Sequence, residues 1–265
     1  MLKLLLHKVI SSILCKIKIK QMISTHEFYA SYFGHPVADL QALIPHLRAN
    51  GKKSLIFLAG DSSLDSKHWL DNIEQATNGY ETILNPPRMK QDISYYLNRF
   101  CTTLMTQSDT ACVNCAVEEA TVESKLDGLN KHDITIRNNL TQNDVLVVSI
   151  GGNDIALRAS FATMFNMVKM MTLNTKNDIE NNFENCWGAA HFIELFRDYV
   201  QKYIEKLTAL CQPKLVVICM IYYPSETPDG WATQTLSKLN YYNQPDFLQL
   251  VIRQLFKHAT SKITL

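Results

Sequence analysis

Ser54-Leu55-Ile56-Phe57-Leu58-Ala59-Gly60-Asp61-Ser62-Ser63-Leu64 is the stretch from which the fold can be read. Its first six residues make a short apolar run that stops at a small-residue turn, the pattern of a strand buried on both faces of a parallel sheet. Val145 to Ile150 and Leu215 to Ile221 repeat the pattern, and Thr110 to Val113 is a weaker fourth case. Between these runs apolar residues recur at helical spacing, in Trp69, Leu70, Ile73 and Ala76, in Met89, Ile93, Leu97, Phe100 and Leu104, and in Phe192 through Leu210. The second set follows Pro86 and Pro87 and the third stops before Pro213, as helix-boundary chemistry requires. Alternation of strand and helix predicts an α/β fold of right-handed βαβ units, a parallel sheet with helices on both faces. The Asn-rich stretch from Asn174 to Asn185 reads as an exposed insertion. Ligands of such sheets bind beyond the carboxyl ends of the strands, so the chemistry is expected just after Ala59, Val113, Ile150 and Ile221.

A chain of 265 residues, 46% apolar, is long enough for one sizeable domain. A net charge of +1, with both signs interspersed after residue 26, offers no basic face for nucleic acid and fits a small or uncharged substrate. Seven cysteines scattered over a chain of this size read mostly as buried thiols. Cys112 and Cys115 form a C-x-x-C, but thioredoxin-type redox pairs open a helix rather than end a strand, and no second pair or His cluster completes a zinc site. The first 26 residues hold five lysines, no acid and a broken apolar run. They read as a targeting segment or a basic amphipathic helix, and no stretch reaches transmembrane length. A cytoplasmic location is expected unless that segment is a targeting signal.

Two loops carry the chemistry. Gly60-Asp61-Ser62 exposes a hydroxyl at a tight turn, where backbone N–H groups favour the negative charge of acyl transfer, although the same residues serve any turn or cap. Gly151-Gly152-Asn153-Asp154 again follows a buried strand, and its Asn amide can donate to an oxyanion without becoming charged; a plain helix cap is the alternative. Two such loops, about 90 residues apart and each closing a parallel-type strand, are hard to obtain by chance.

Here the chain resembles the SGNH/GDSL serine hydrolases, with Gly60-Asp61-Ser62 similar to their block I and Gly151-Gly152-Asn153-Asp154 matching the G-x-N-D of block III. The resemblance spans roughly residues 53 to 225. It implies a flavodoxin-like three-layer sandwich and hydrolysis of carboxyl esters of lipids or acylated sugars, without metal or nucleotide. Ser62 would be the nucleophile, Asn153 an oxyanion donor, and Glu119 would stand where the family places an oxyanion-hole glycine that acts through its backbone N–H. On this reading residues 1–50 are a basic helical extension and 51–265 the hydrolase-like domain.

The family's Asp-x-x-His, which supplies the base and its orienting acid, is found nowhere in the sequence. Lys262-Ile263-Thr264-Leu265 looks like the opening of one more strand, so the expectation is a domain cut short at its last strand, and an impaired esterase. His68, six residues and most of two turns beyond Ser62, His191 at a helix start and His258 near a helix end are poorly placed to substitute. One rival is a non-catalytic protein of the same fold that binds an acyl or glycan ligand. Another is a flavodoxin-like nucleotide or flavin domain, against which stands the lack of any G-x-G-x-x-G or P-loop after a strand.

Overall fold

The computed structural model describes residues 22–104, 109–230 and 232–265. Four parallel strands, β1 (Ser54–Gly60), β2 (Thr110–Asn114), β3 (Val145–Ser149) and β4 (Leu215–Cys219), lie in the order β2-β1-β3-β4. All four apolar runs are therefore strands, in the order of the first four strands of a flavodoxin-like sheet. Pairing sets Leu58 beside both Asn114 and Val147, and Gly60 beside Ser149. The carboxyl ends of β1, β2 and β3 thus finish along one rim.

The helices in chain order are α1 (Thr25–Ala30), α2 (Val37–Ala49), α3 (Ile93–Leu104), α4 (Val122–Asp127), α5 (Lys131–Asn139), α6 (Gly152–Ala156), α7 (Phe161–Thr172) and α8 (Lys176–Asn181). Then come α9, in which Ala189–Ile193, Glu194–Tyr199 and Val200–Thr208 run on through a π turn, α10 (Thr233–Lys238) and α11 (Pro245–His258).

Period-two alternation splits the sheet's side chains between two faces. Leu55, Phe57, Ala59, Val113, Leu146 and Val148 enter the larger core, which α2, α5 and α9 help to cover. On α2, Leu40, Leu43, Ile44 and Leu47 are buried at the i, i+3, i+4, i+7 spacing of a core-facing stripe. Leu58 and Cys112 face the other side with Leu64 and Ala116, covered by Ile93 and Leu97 of α3. Helices on both faces of a parallel sheet make the three-layer α/β sandwich.

Several local expectations are corrected. Trp69 to Ala76 is not a helix: Lys67–Trp69 is a single 3-10 turn, and Ile73–Gln75 pairs antiparallel with Arg88–Lys90. Ala76 N–H donates to Pro87 O and Gln91 N–H to Asn72 O, so this ladder takes the backbone groups a helix would have used, and the periodic Trp69 and Ile73 are exposed rather than buried. For the same reason Met89 belongs to a strand, and α3 starts at Ile93. The Asn-rich stretch is mostly exposed, as expected, and is folded as α8 and a 3-10 turn anchored by buried Ile179 and Phe183. β4 is not buried on both faces, because it is an edge strand with Leu215 and Val217 exposed. Residues 263–265 join no strand. Most of the basic N-terminal segment, residues 1–21, lies outside the described residues.

Cys112 and Cys115 are buried free thiols, and burial pushes both upward, Cys112 well above the ordinary thiol range. No group of His, Cys, Asp and Glu among the described residues could hold a metal ion, and no described helix is long and apolar enough to cross a membrane.

Candidate active site

The turn after β1 is fixed by a close approach to β3. Gly60 has φ +130°, and a Cβ there would stand 1.8 Å from the Ser149 carbonyl oxygen, so only glycine fits. Asp61 N–H donates to that same oxygen at 3.0 Å, Asp61 Oδ1 accepts the Ser63 N–H at 2.9 Å, and Ser63 Oγ donates to Ser149 Oγ at 2.7 Å. Burial raises the Asp61 carboxyl, with the hydrogen bonds it accepts from Ser63 opposing. Its neighbours on the turn are thus all committed, while half-buried Ser62 gives neither its backbone N–H nor its hydroxyl to any described residue.

Asn153 sits on α6, which opens at Gly151 with φ +115°, where a Cβ would come within 2.6 Å of the Phe196 ring. The Asn153 side-chain nitrogen donates one hydrogen to Ala120 O at 3.0 Å and retains a second. Asp154 beside it accepts the N–H groups of Val122 at 2.9 Å and Glu123 at 3.1 Å, at the first turn of α4. Burial pushes the Asp154 carboxyl up to about 6 against those bonds. The loop after β3 is thereby tied to the loop that follows β2.

On that loop Glu119 has φ +59°, the left-handed conformation in which glycine is at no disadvantage. Its carboxylate accepts from the Arg158 guanidinium and from Tyr32 OH at 3.0 Å, and Arg158 first, Tyr32 second, hold it below the usual carboxylate range. The side chain is therefore engaged elsewhere, and the Glu119 N–H has no acceptor among the described residues.

Ser62 and Asn153 line one cavity of about 300 Å³; Glu119 is outside its lining. Beyond those two polar groups the wall is mostly apolar: Met167 and Met170 from α7, Leu236 from α10, Val251 and Leu255 from α11. Of the eight histidines only His7 is outside the described residues, and none of the others lines this cavity. His68 stacks edge-on against Tyr32 and Trp69 at the surface, His191 bonds Thr163 at 3.0 Å, and His258 pairs with Glu184 at 3.0 Å. The one carboxylate in the lining is Asp61.

Sequence reading missed a buried ionic cluster behind the site. Lys67 Nζ lies 2.6 Å from Asp65 Oδ2 and 2.7 Å from Glu118 Oε1, with all three side chains fully enclosed. Glu118 Oε2 also accepts the Gly34 N–H at 2.7 Å. Asp65 lies three residues after Ser62 and Glu118 directly precedes Glu119, so one ammonium joins the turn after β1 to the loop after β2. Nothing in the sequence marks Lys67 as buried, since lysine is almost always exposed.

No protein-family model matches this chain, and no curated protein does. Among solved structures the chain is similar to an extracellular lipase from Streptomyces rimosus, at 12% identity and a TM-score of 0.33, over 77% of this chain and 76% of that one.

Proposed function

We propose that this chain is a serine ester hydrolase of SGNH/GDSL type with weak turnover, acting through an acyl-Ser62 intermediate. The observation that carries the reading is that Ser62 and Asn153, brought from separate loops, line one mostly apolar cavity. Ser62 Oγ would attack the ester carbonyl carbon and expel the alcohol, and water would then release the acid and regenerate the hydroxyl. The oxyanion would take the second hydrogen of the Asn153 amide and the unspent N–H group of Ser62, which act without changing protonation state. The acyl chain would lie among Met167, Met170 and Leu255.

Removing the proton from Ser62 is the weak step. With no imidazole among the described residues of the lining, the proton would pass to water or to Asp61, whose bonds to the turn already occupy it. Triad-deletion enzymes retain roughly 10³-fold over water from the oxyanion hole and binding alone, which sets the scale expected here. The same missing imidazole favours a second reading, a protein that holds an acyl ligand without turning it over.

The test is hydrolysis of a chromogenic butyrate ester by the full chain and by Ser62→Ala, with fatty-acid binding measured alongside. Slow hydrolysis abolished by Ser62→Ala supports the enzyme. Binding with no Ser62-dependent hydrolysis supports the second reading, and neither binding nor hydrolysis overturns both.

A further inference from the structure

Helix α7 is apolar on both sides. Its inner side chains, Met167 and Met170, line the same cavity as Ser62. One face over, Phe161, Met164, Phe165 and Val168 follow the i, i+3, i+4, i+7 spacing of a core stripe, yet Phe161 is 88% exposed and Phe165 61%. Leu157 before the helix and Leu173 after it extend the exposed strip. Trp187, 59% exposed, joins it, because Asn174 clamps its segment by accepting the Trp187 N–H at 2.9 Å and donating to Trp187 O at 3.1 Å.

Charge on this strip is one-sided. From Ile155 to Asn177 there is no Asp or Glu. Arg158 is paired with Glu119 and Lys176 with Asp246, so the cation within the apolar face is Lys169, whose ammonium lies 4.2 Å from the Phe165 ring centre and 5.6 Å from that of Trp187. An ammonium on a long stem between two aromatic rings, above an apolar helix face and with no acid on the segment, suits the headgroup level of a phospholipid surface. A second copy of the chain suits it less well, because a two-fold contact sets the same patch against itself and would bring Lys169 toward Lys169 without an acid from this segment.

We propose that the outer face of α7, with Leu157, Leu173 and Trp187, is a docking surface for an anionic phospholipid interface: the aromatic and aliphatic side chains enter the acyl boundary and Lys169 meets lipid phosphate. The surface lies on the side of α7 opposite Met167 and Met170, which line the cavity. The docking surface itself stands whether or not Ser62 turns an ester over.

The experiment is co-flotation of the full chain with vesicles of phosphatidylcholine, alone or mixed with phosphatidylglycerol. The wild type is expected to float with the mixed vesicles and more weakly with the zwitterionic ones. The double substitution Phe161→Ser and Phe165→Ser, at exposed positions where folding is unaffected, should weaken partitioning by about tenfold or more, given what burial of two phenylalanines contributes. Phe100→Ser, equally exposed on α3, should leave it unchanged, and Lys169→Gln should abolish the preference for the anionic lipid. Ser62→Ala should float as the wild type does, which separates docking from hydrolysis. Failure of the wild type to float, equal flotation of the double variant, or a dimer that the double variant converts to monomer in place of flotation would each overturn the proposal.

Discussion

Replacing Lys67 with methionine tests the buried cluster that joins the two loops of the candidate site. Methionine keeps the length and apolar stem of the side chain and removes the charge that lies 2.6 Å from Asp65 and 2.7 Å from Glu118. Two enclosed carboxylates are then left facing one another, and Asp65 Oδ1 already has no hydrogen-bond partner. Removing one partner of a buried pair costs about 3–5 kcal/mol, a large part of a normal folding free energy of about 5–15 kcal/mol. The loss should depend on pH in a known direction. Burial, the largest influence, already raises Asp65 well above its unfolded value, with Lys67 opposing. Without Lys67 the folded form holds its protons more tightly still, while the unfolded chain gives them up near the ordinary carboxylate value. Stability of the variant therefore falls as pH rises through that window and is partly regained on acidification. Urea unfolding followed by circular dichroism at about pH 5 and about pH 7.5 measures this directly. A charge-free triple variant, Lys67→Met with Asp65→Asn and Glu118→Gln, should recover much of the loss. A loss below about 1 kcal/mol at neutral pH, or a loss that grows on acidification, would refute the assignment of a buried ionic clamp.

Gly60→Ala should cost at least about 3 kcal/mol, because the new Cβ meets the Ser149 carbonyl 1.8 Å away, whereas Gly128→Ala, facing open space, should be nearly neutral; parallel urea titrations compare them. Glu119→Gly should change stability by less than about 1 kcal/mol, since relief of the left-handed backbone offsets a partly exposed ion pair, and a loss above about 2 kcal/mol would count against that balance. Asp92, pushed to about 6 by burial, favours the folded state below its unfolded value of 3.8 and loses that contribution as pH rises to 6. Asp92→Asn should therefore exceed the wild type at neutral pH by up to about 3 kcal/mol, with the gap closing toward about pH 4; a gap that widens in acid would overturn the sign.

The sheet was legible because its strands announce themselves twice, by β-branched or aliphatic runs and by the turn residues that end them. Ser54 to Ala59 and Val145 to Ile150 needed no tertiary information, since burial on both faces removes the polar alternation that would blur them. Trp69 to Ala76 reads as a helix but is not one, because helical spacing of apolar residues marks a core face only where they are buried, and Trp69 and Ile73 stay exposed. The same limit hid the outer strip of α7: Phe161, Phe165 and Val168 have the spacing of a core stripe and point to solvent.

The site divides in the same way. Ser62 and Asn153 could be placed at one rim from the parallel-strand pattern alone, because a parallel sheet sends the carboxyl ends of its strands to the same edge. What holds them there could not be read, since it depends on which polar groups are buried together: Lys67 between Asp65 and Glu118, Asp154 on the first turn of α4, the Asn153 amide on Ala120 O. Glu119 shows how the two levels meet. By residue type it departs from the glycine that the family resemblance implies, yet its backbone holds the conformation glycine would hold, and Arg158 and Tyr32 draw its carboxylate away to contacts outside the cavity lining. A position where the backbone must hold a left-handed φ is constrained in φ rather than in side chain, so a substitution there is tolerated when partners outside the cavity engage what the new side chain brings.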